Sequence, residues 1–272
     1  MITSTFRGLP GIGPSREREL WAKGIRSWNE VPRSGVLLSP RLDDGLRRGI
    51  DELQALFEEG DVRGLARRIS PAEHWRLWPW ALGRTCFLDI ETDGFTDVVT
   101  SVAVHGEDGP RAFVRGVSMN GLGEMLEGYD VVVTFNGASF DLPVLRRAFP
   151  GLPIPPVHVD LRSVFKRLGE QGGLKKIEAR LGLTRPGEVE GVDGYEAVRL
   201  WHRWDDDRDL GALCTLVEYN LYDAIQLRPL FDIGYNRLVE QTGLPIEPVR
   251  IYERGDVLYD VSKILGELRS RF

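Results

Sequence analysis

Three apolar, β-branched runs follow one another closely in the middle of the chain: "RTCFLDIE" (84–91), "VVTSVAVH" (98–105) and "RAFVRG" (111–116). The Gly- and Asp-containing links between them are too short to hold a crossover, so the three must pair as an antiparallel meander. A helical stretch, "GLGEMLEG", then precedes a fourth run, "DVVVTFN" (130–136). That longer connection allows the fourth strand to return parallel to the first. A short fifth strand fits "PVHVD" (156–160), and from 139 onward the remaining text is mainly helical. The class expected is α/β, a mixed sheet flanked by helices.

The N-terminal part reads differently. "SRERELWAKG" and "PRLDDGLRRGIDELQALFEEGD" are helical, and Leu42, Leu46, Ile50, Leu53 and Leu56 recur at three to four residues, forming one apolar stripe. Prolines 71 and 79 bracket an aperiodic stretch containing Trp75, Trp78 and Trp80. The expected organisation is a small all-helical region over 1–70, a linker over 71–80 and a domain over 81–272. Net charge is −6, but residues 1–80 carry 13 Lys and Arg against 11 Asp and Glu, which places the acid surplus in the longer C-terminal part. Cys86 and Cys214 lie in apolar surroundings without a CxxC partner and read as buried, reduced thiols. With no leader-like run and no window of ~18 apolar residues, the expectation is a cytoplasmic protein without a membrane partner.

In "FLDIETDG" (87–94), Asp89 and Glu91 are two apart on a strand and share a face, while Leu88 and Ile90 turn to the core. Either this is a solvated strand end, or a hard cation such as Mg²⁺ or Mn²⁺ offsets the repulsion. In "VVTFNGASFDLPVL" a strand feeds the Asn136-Gly137 turn and then a helix with Asp141 in its first turn, where an acid also suits the helix dipole. In "VEYNLYDAIQL", Tyr219 and Asp223 are four apart and stack on one helix face. Each feature has an ordinary structural explanation by itself. Three acidic sites in order on a strand, a strand-to-helix turn and a late helix would coincide by accident far less often.

Together "FLDIETDG", "FNGASFD" and "YNLYD" resemble the three motifs of DnaQ-like 3'-5' exonucleases of the DEDD superfamily, which have a ribonuclease-H-like fold. The resemblance, over about residues 75–230, implies that Asp89, Glu91, Asp141 and Asp223 are the metal-binding acids. Glu at 218 and Tyr at 219 match the Tyr branch, and "HVDLRSVFKR", "GGLKKIEARLGL" and "VRLWHRW" suggest the bacterial YprB-type subfamily. It further implies two Mg²⁺ or Mn²⁺ ions, roughly 4 Å apart, that activate water and stabilise the leaving oxygen. Free Tyr has a pKa of about 10, so Tyr219 fits a water-orienting role better than that of a base. Asn136 either reaches the substrate or braces the Asp141 turn. Asp160 reads as a helix N-cap, Glu178 as a surface residue and "WDDDRD" (204–209) as a solvated, helix-starting loop.

"LPGIGPSRERELWAKGIRSW" resembles a helix-hairpin-helix element, in which Gly11 and Gly13 let the backbone approach a phosphate, Ile12 anchors the turn, and Arg16, Arg18 and Lys23 add charge. The alternative is a turn that only packs two helices. The tryptophans either stack bases or dock one domain on the other. The function expected is 3'-5' exonucleolytic hydrolysis of single-stranded DNA or frayed 3' ends. DNA is favoured as partner and RNA is possible. The alternatives are an exoribonuclease, a structure-directed endonuclease, or a nucleic-acid-binding module with a vestigial site.

Overall fold

The computed structural model describes residues 1–96, 98–185, 193–252 and 261–272. The chain divides into two compact units, one comprising Met1–Arg84 and Tyr235–Val249, the other Thr85–Gly234 and Arg250–Phe272.

In the first unit, α1 (Pro14–Ala22), α2 (Pro40–Glu58) and α3 (Val62–Arg68) precede a 3-10 helix over Pro71–Leu77. Proline at the first helical position starts both α1 and α2, where its missing N–H costs nothing. Leu46, Ile50 and Leu53 of the expected stripe are buried, while Leu42 and Leu56 are partly covered at its ends. Trp75 and Trp78 are buried in this unit, and Trp80 stacks on Phe57 with ring centroids 5.0 Å apart. Trp75 and Trp78 thus serve packing, and Trp80 is half-buried with one face on Phe57.

A buried charge network ties this unit together. Arg76 pairs with Glu17 at 3.0 Å and also with Glu73, all three side chains being no more than 3% exposed. Glu17 accepts further hydrogen bonds from the Thr5 hydroxyl and the Phe6 amide. Glu17 is thus an internal acceptor that fixes the hairpin's helix to the segment before Pro79.

The second unit contains the sheet: β1 (Thr85–Thr92), β2 (Val99–Gly106), β3 (Gly109–Val114), β4 (Val131–Thr134) and β5 (Val157–Asp160), in the order β3-β2-β1-β4-β5. The β1/β2 and β2/β3 pairs are antiparallel, and β1/β4 and β4/β5 are parallel. The expected mixed sheet, meander and parallel return are therefore what the chain forms. Helices α4 (Leu122–Glu127), α5 (Asp141–Ala148), α6 (Leu161–Arg167), α7 (Leu174–Leu181), α8 (Gly194–Asp207), α9 (Leu210–Thr242) and α10 (Ser262–Arg269) complete the elements. Helix α9 contributes its residues up to Gly234 to this unit and those from Tyr235 to the first.

Two buried clusters lie in the second unit. Leu88, Ile90, Val102 and Val104 pack with Leu142 and Leu145 of α5, and Ala103 packs with Trp201, Trp204, Leu213 and Leu221 of α8 and α9. Cys86 and Cys214 are buried and free, and burial pushes the Cys86 thiol pKa up. The "WDDDRD" stretch is helical as far as Asp207, so its first part ends α8 instead of being loop, while its last residue, Asp209, caps the start of α9 by accepting from the Ala212 amide at 3.0 Å. No described helix is long and apolar enough to cross a membrane.

Arg76→Ala leaves Glu17 buried without its guanidinium partner, while Glu73 keeps Arg7. It should lower the stability of the first unit by about 3–5 kcal/mol, read as the shift of its transition in urea. An unchanged midpoint would show that the network contributes nothing net.

Candidate metal centre

The arrangement begins with strand lengths. β1 pairs with β4 only from Thr85 to Phe87, and β4 ends at Thr134. Past that point, among the described residues, no strand pairs with the edge of β1 facing β4, and the gap lies at the carboxyl ends of the parallel strands, where open α/β sheets bind ligands. Asp89 and Glu91 stand on β1 at this opening. Their register partners on the other side are Ala103 and Ser101, small enough to leave room.

The turn after β4 brings in the third acid. Asn136 adopts a left-handed backbone, φ 69°, and Gly137 lies so close to the Thr134 hydroxyl that a Cβ there would sit 2.1 Å from it. Asp160 stabilises the turn from β5 by accepting from the amides of Asn136 at 2.9 Å and Ala138 at 3.1 Å, and it also caps α6 through the Arg162 amide at 2.9 Å. The expected cap is therefore present and doubles as a brace. The chain then enters α5 at Asp141, whose carboxylate is held by backbone N–H groups that include that of Ile90, between Asp89 and Glu91 on β1.

Helix α9 supplies the rest. Tyr219 and Asp223, one turn apart, are both buried, and their side chains hydrogen-bond to each other. Oxygens of Asp89, Glu91 and Asp223 lie within 4.8 Å of one another, a spacing at which three carboxylates can share a cation. Asp141 stands outside that closest group but adjoins it, since Asp89 and Glu91 both feel its charge.

Burial and mutual repulsion push the carboxyls of Asp89 and Glu91 well above the usual range. For Asp89 the charges of Asp223, Asp141 and Glu91 add to burial, and for Glu91 those of Asp223 and Asp141 do so. Asp141 is pushed up to about 7, chiefly by burial. Such a donor set, all oxygen and short of positive charge, fits a hard divalent cation. The Tyr219 phenol is driven further from ionisation by burial and by the nearby Asp223, so it acts only as a neutral hydrogen-bonding group.

Several functional neighbours escape sequence reasoning. Asn220, fully buried, donates to Asp89 at 2.8 Å and accepts from Ser101 at 2.8 Å, which fixes the Asp89 rotamer. The Lys175 ammonium lies 4.3 Å from the centroid of the Tyr219 ring. Glu178 is not a surface residue: it is 2% exposed and accepts from two nitrogens of the Arg185 guanidinium, whose third nitrogen bonds Asp223. A signal for Glu178 existed in the sequence, because it falls on the apolar face of α7 with Leu174, Ile177 and Leu181.

Asn136 both braces its turn and faces a cleft. Its side-chain oxygen accepts from Ser139 at 3.2 Å and from Arg162 at 2.5 Å. The cleft, of about 580 Å³, is also lined by Lys166, Gln171 and Gly172.

In the first unit, Gly11 has φ 78° and stands against Leu42, Ile12 is buried, and Gly13 caps α1. Arg16 donates to the Gly11 carbonyl at 2.5 Å, and Lys23 pairs with Glu19 at 2.6 Å, so these two cations are engaged within the hairpin. Arg18 is exposed.

The mixed β3-β2-β1-β4-β5 sheet carries two of the acids on its middle strand, β1, and α5 and α9 bring the other two beside it. Residues 86–235 match the family RNase_H_2 of the RNase H superfamily, and the chain belongs to this family. No curated protein matches the chain. Among solved structures, it is similar to the family B DNA polymerase from the hyperthermophilic archaeon Pyrobaculum calidifontis, with 17% identity and a TM-score of 0.43. That alignment covers 62% of this chain and 31% of the polymerase, so the chain spans about a third of that protein's length.

An acid whose pKa is raised by folding binds more protons in the folded than in the unfolded chain. For Asp141 this holds between about 4 and about 7, and cation-free stability falls as pH rises through that window. Asp141→Asn removes the effect. The variant's melting temperature, measured in EDTA, should match the wild type near pH 4 and exceed it increasingly towards pH 7. Saturating Mn²⁺ at neutral pH should raise the wild-type value. A difference that does not grow with pH would refute the burial of this charge.

Proposed function

We propose that the chain is a divalent-metal-dependent 3'-5' exonuclease acting on single-stranded DNA or frayed 3' ends. Its membership of the RNase H superfamily supports a nuclease-type activity. The observation that carries the reading is the group of Asp89, Glu91 and Asp223 oxygens within 4.8 Å, with Asp141 beside it. These four acids are the metal ligands in this reading. The bound ions, Mg²⁺ or Mn²⁺, supply a water acidified enough to attack phosphorus and a positive charge for the leaving oxygen.

The chain's own side chains do the remaining work. Asn220 holds Asp89, the Ile90 amide holds Asp141, and Tyr219, as a neutral phenol within reach of Asp223, orients the attacking water by a hydrogen bond. The DnaQ-like motifs and Tyr219 support assignment to the Tyr branch and to a YprB-type domain. The cleft lined by Asn136, Ser139, Arg162 and Lys166 supports a path for the substrate strand, because it adds two exposed cations beside an otherwise acidic centre. The Gly11–Gly13 hairpin supports sequence-independent contact with a nucleic-acid phosphate through backbone N–H groups, with Arg18 as the added charge, and its likeness to helix-hairpin-helix elements is what favours DNA.

End-labelled oligonucleotides in Mg²⁺ or Mn²⁺ should give a 3'-to-5' ladder that EDTA abolishes. Asp89→Ala and Asp141→Ala should each cut the rate by at least about a thousandfold while remaining folded. Activity retained in either variant, or no cleavage of any linear DNA or RNA, would overturn the reading. The same assay on RNA and on circular single strands separates an exoribonuclease and an endonuclease from the proposed activity.

Arg162→Ala/Lys166→Ala should raise KM for an oligonucleotide with kcat unchanged and flatten the salt dependence of binding by about one to two units of log–log slope. Wild-type KM and salt slope would place the strand elsewhere.

A further inference from the structure

Arg185 lies outside every motif that carries the proposed activity, yet it contacts one of the four acids directly. Its Nε and Nη2 take both oxygens of Glu178 at 2.9 and 2.8 Å in a planar fork, and Nη1 donates to Oδ1 of Asp223. The side chains of Arg185, Glu178 and Asp223 are 8%, 3% and 7% exposed. The two carboxylates and the Tyr219 ring beside it engage the guanidinium within the protein, rather than leaving it directed at solvent as a substrate-binding cation would be.

We propose that Arg185 is the positioning residue of the metal centre. It holds one oxygen of Asp223 so that the other is presented to the cation, and Glu178 holds Arg185. This rests on the metal-nuclease reading above. The charges make the arrangement workable. Alone, a guanidinium on Asp223 would repel a divalent ion, but its fork onto Glu178 makes the Arg185–Glu178 pair neutral as a unit. Asp223 then keeps its negative charge for the metal while losing its rotational freedom. A lysine could not replace it, since a single ammonium cannot grip Glu178 through a fork and reach Asp223 as well.

Two variants test this in the full chain. Arg185→Lys keeps the charge and loses the fork. Arg185→Met/Glu178→Gln removes both charges together and preserves the net charge around the acids, while Asp223 loses the guanidinium that holds it. The measurements are calorimetric Mn²⁺ titration, kcat and KM on a single-stranded oligonucleotide, and thermal melting. Both variants should weaken Mn²⁺ binding or lower kcat by roughly ten- to a hundredfold, with oligonucleotide KM unchanged. Wild-type Mn²⁺ affinity and kcat in both variants would overturn the proposal, whether or not the melting temperature moves, because a purely structural tie shifts melting alone. Wild-type protein that neither binds Mn²⁺ nor cleaves would overturn the nuclease reading and this inference with it. Normal wild-type behaviour with unaffected variants overturns this inference only.

Discussion

Repulsion among buried carboxylates governs the second unit. Asp89, Glu91, Asp141 and Asp223 arrive from a central strand, a helix start and a long helix, and each raises the cost of ionising one or more of the others. A fold selected for stability alone would place apolar residues here, as it does at Leu88 and Ile90 on the opposite face of the same strand. The surrounding features answer this cost. Ser101 and Ala103 leave space, Asn220 and the Ile90 amide donate to the acids, and Arg185 is brought in from outside the motifs.

The parts of the fold that depend on short-range rules were legible in the sequence. The short links after β1 and β2 left no alternative to hairpins, and the longer passage through "GLGEMLEG" permitted the parallel return of β4. Period-two alternation placed Asp89 and Glu91 on one face, and the four-residue spacing placed Tyr219 beside Asp223. What brought these pairs together from 130 residues apart was legible only as a resemblance between motifs. Local periodicity carries no information about which strand face a distant helix will cover.

What was misread or missed shares one physical cause. Glu178 was read as a surface charge because a lone glutamate on a helix is normally solvated, but it is buried against Arg185 of an unpatterned loop, just as Glu17 is buried against the remote Arg76. Asp160 was read as a cap and is one. Its second carboxylate oxygen, which braces the Asn136 turn from the neighbouring strand, depends on the β4/β5 register. Buried ion pairs are properties of two segments at once, and a window moved along one segment sees only half of each.

The hold of the Ile90 main chain on Asp141 has a consequence for how this family can vary. Because the donor is an amide, any side chain that suits the core at position 90 preserves the spacing between the first and second acidic motifs. A one-residue insertion or deletion within β1 would present a different amide and turn both carboxylates to the other face of the sheet. The site is thus tolerant of substitution along its central strand and intolerant of any change in its length. Drift among relatives would collect in the identity of the strand's core residues, with their number fixed.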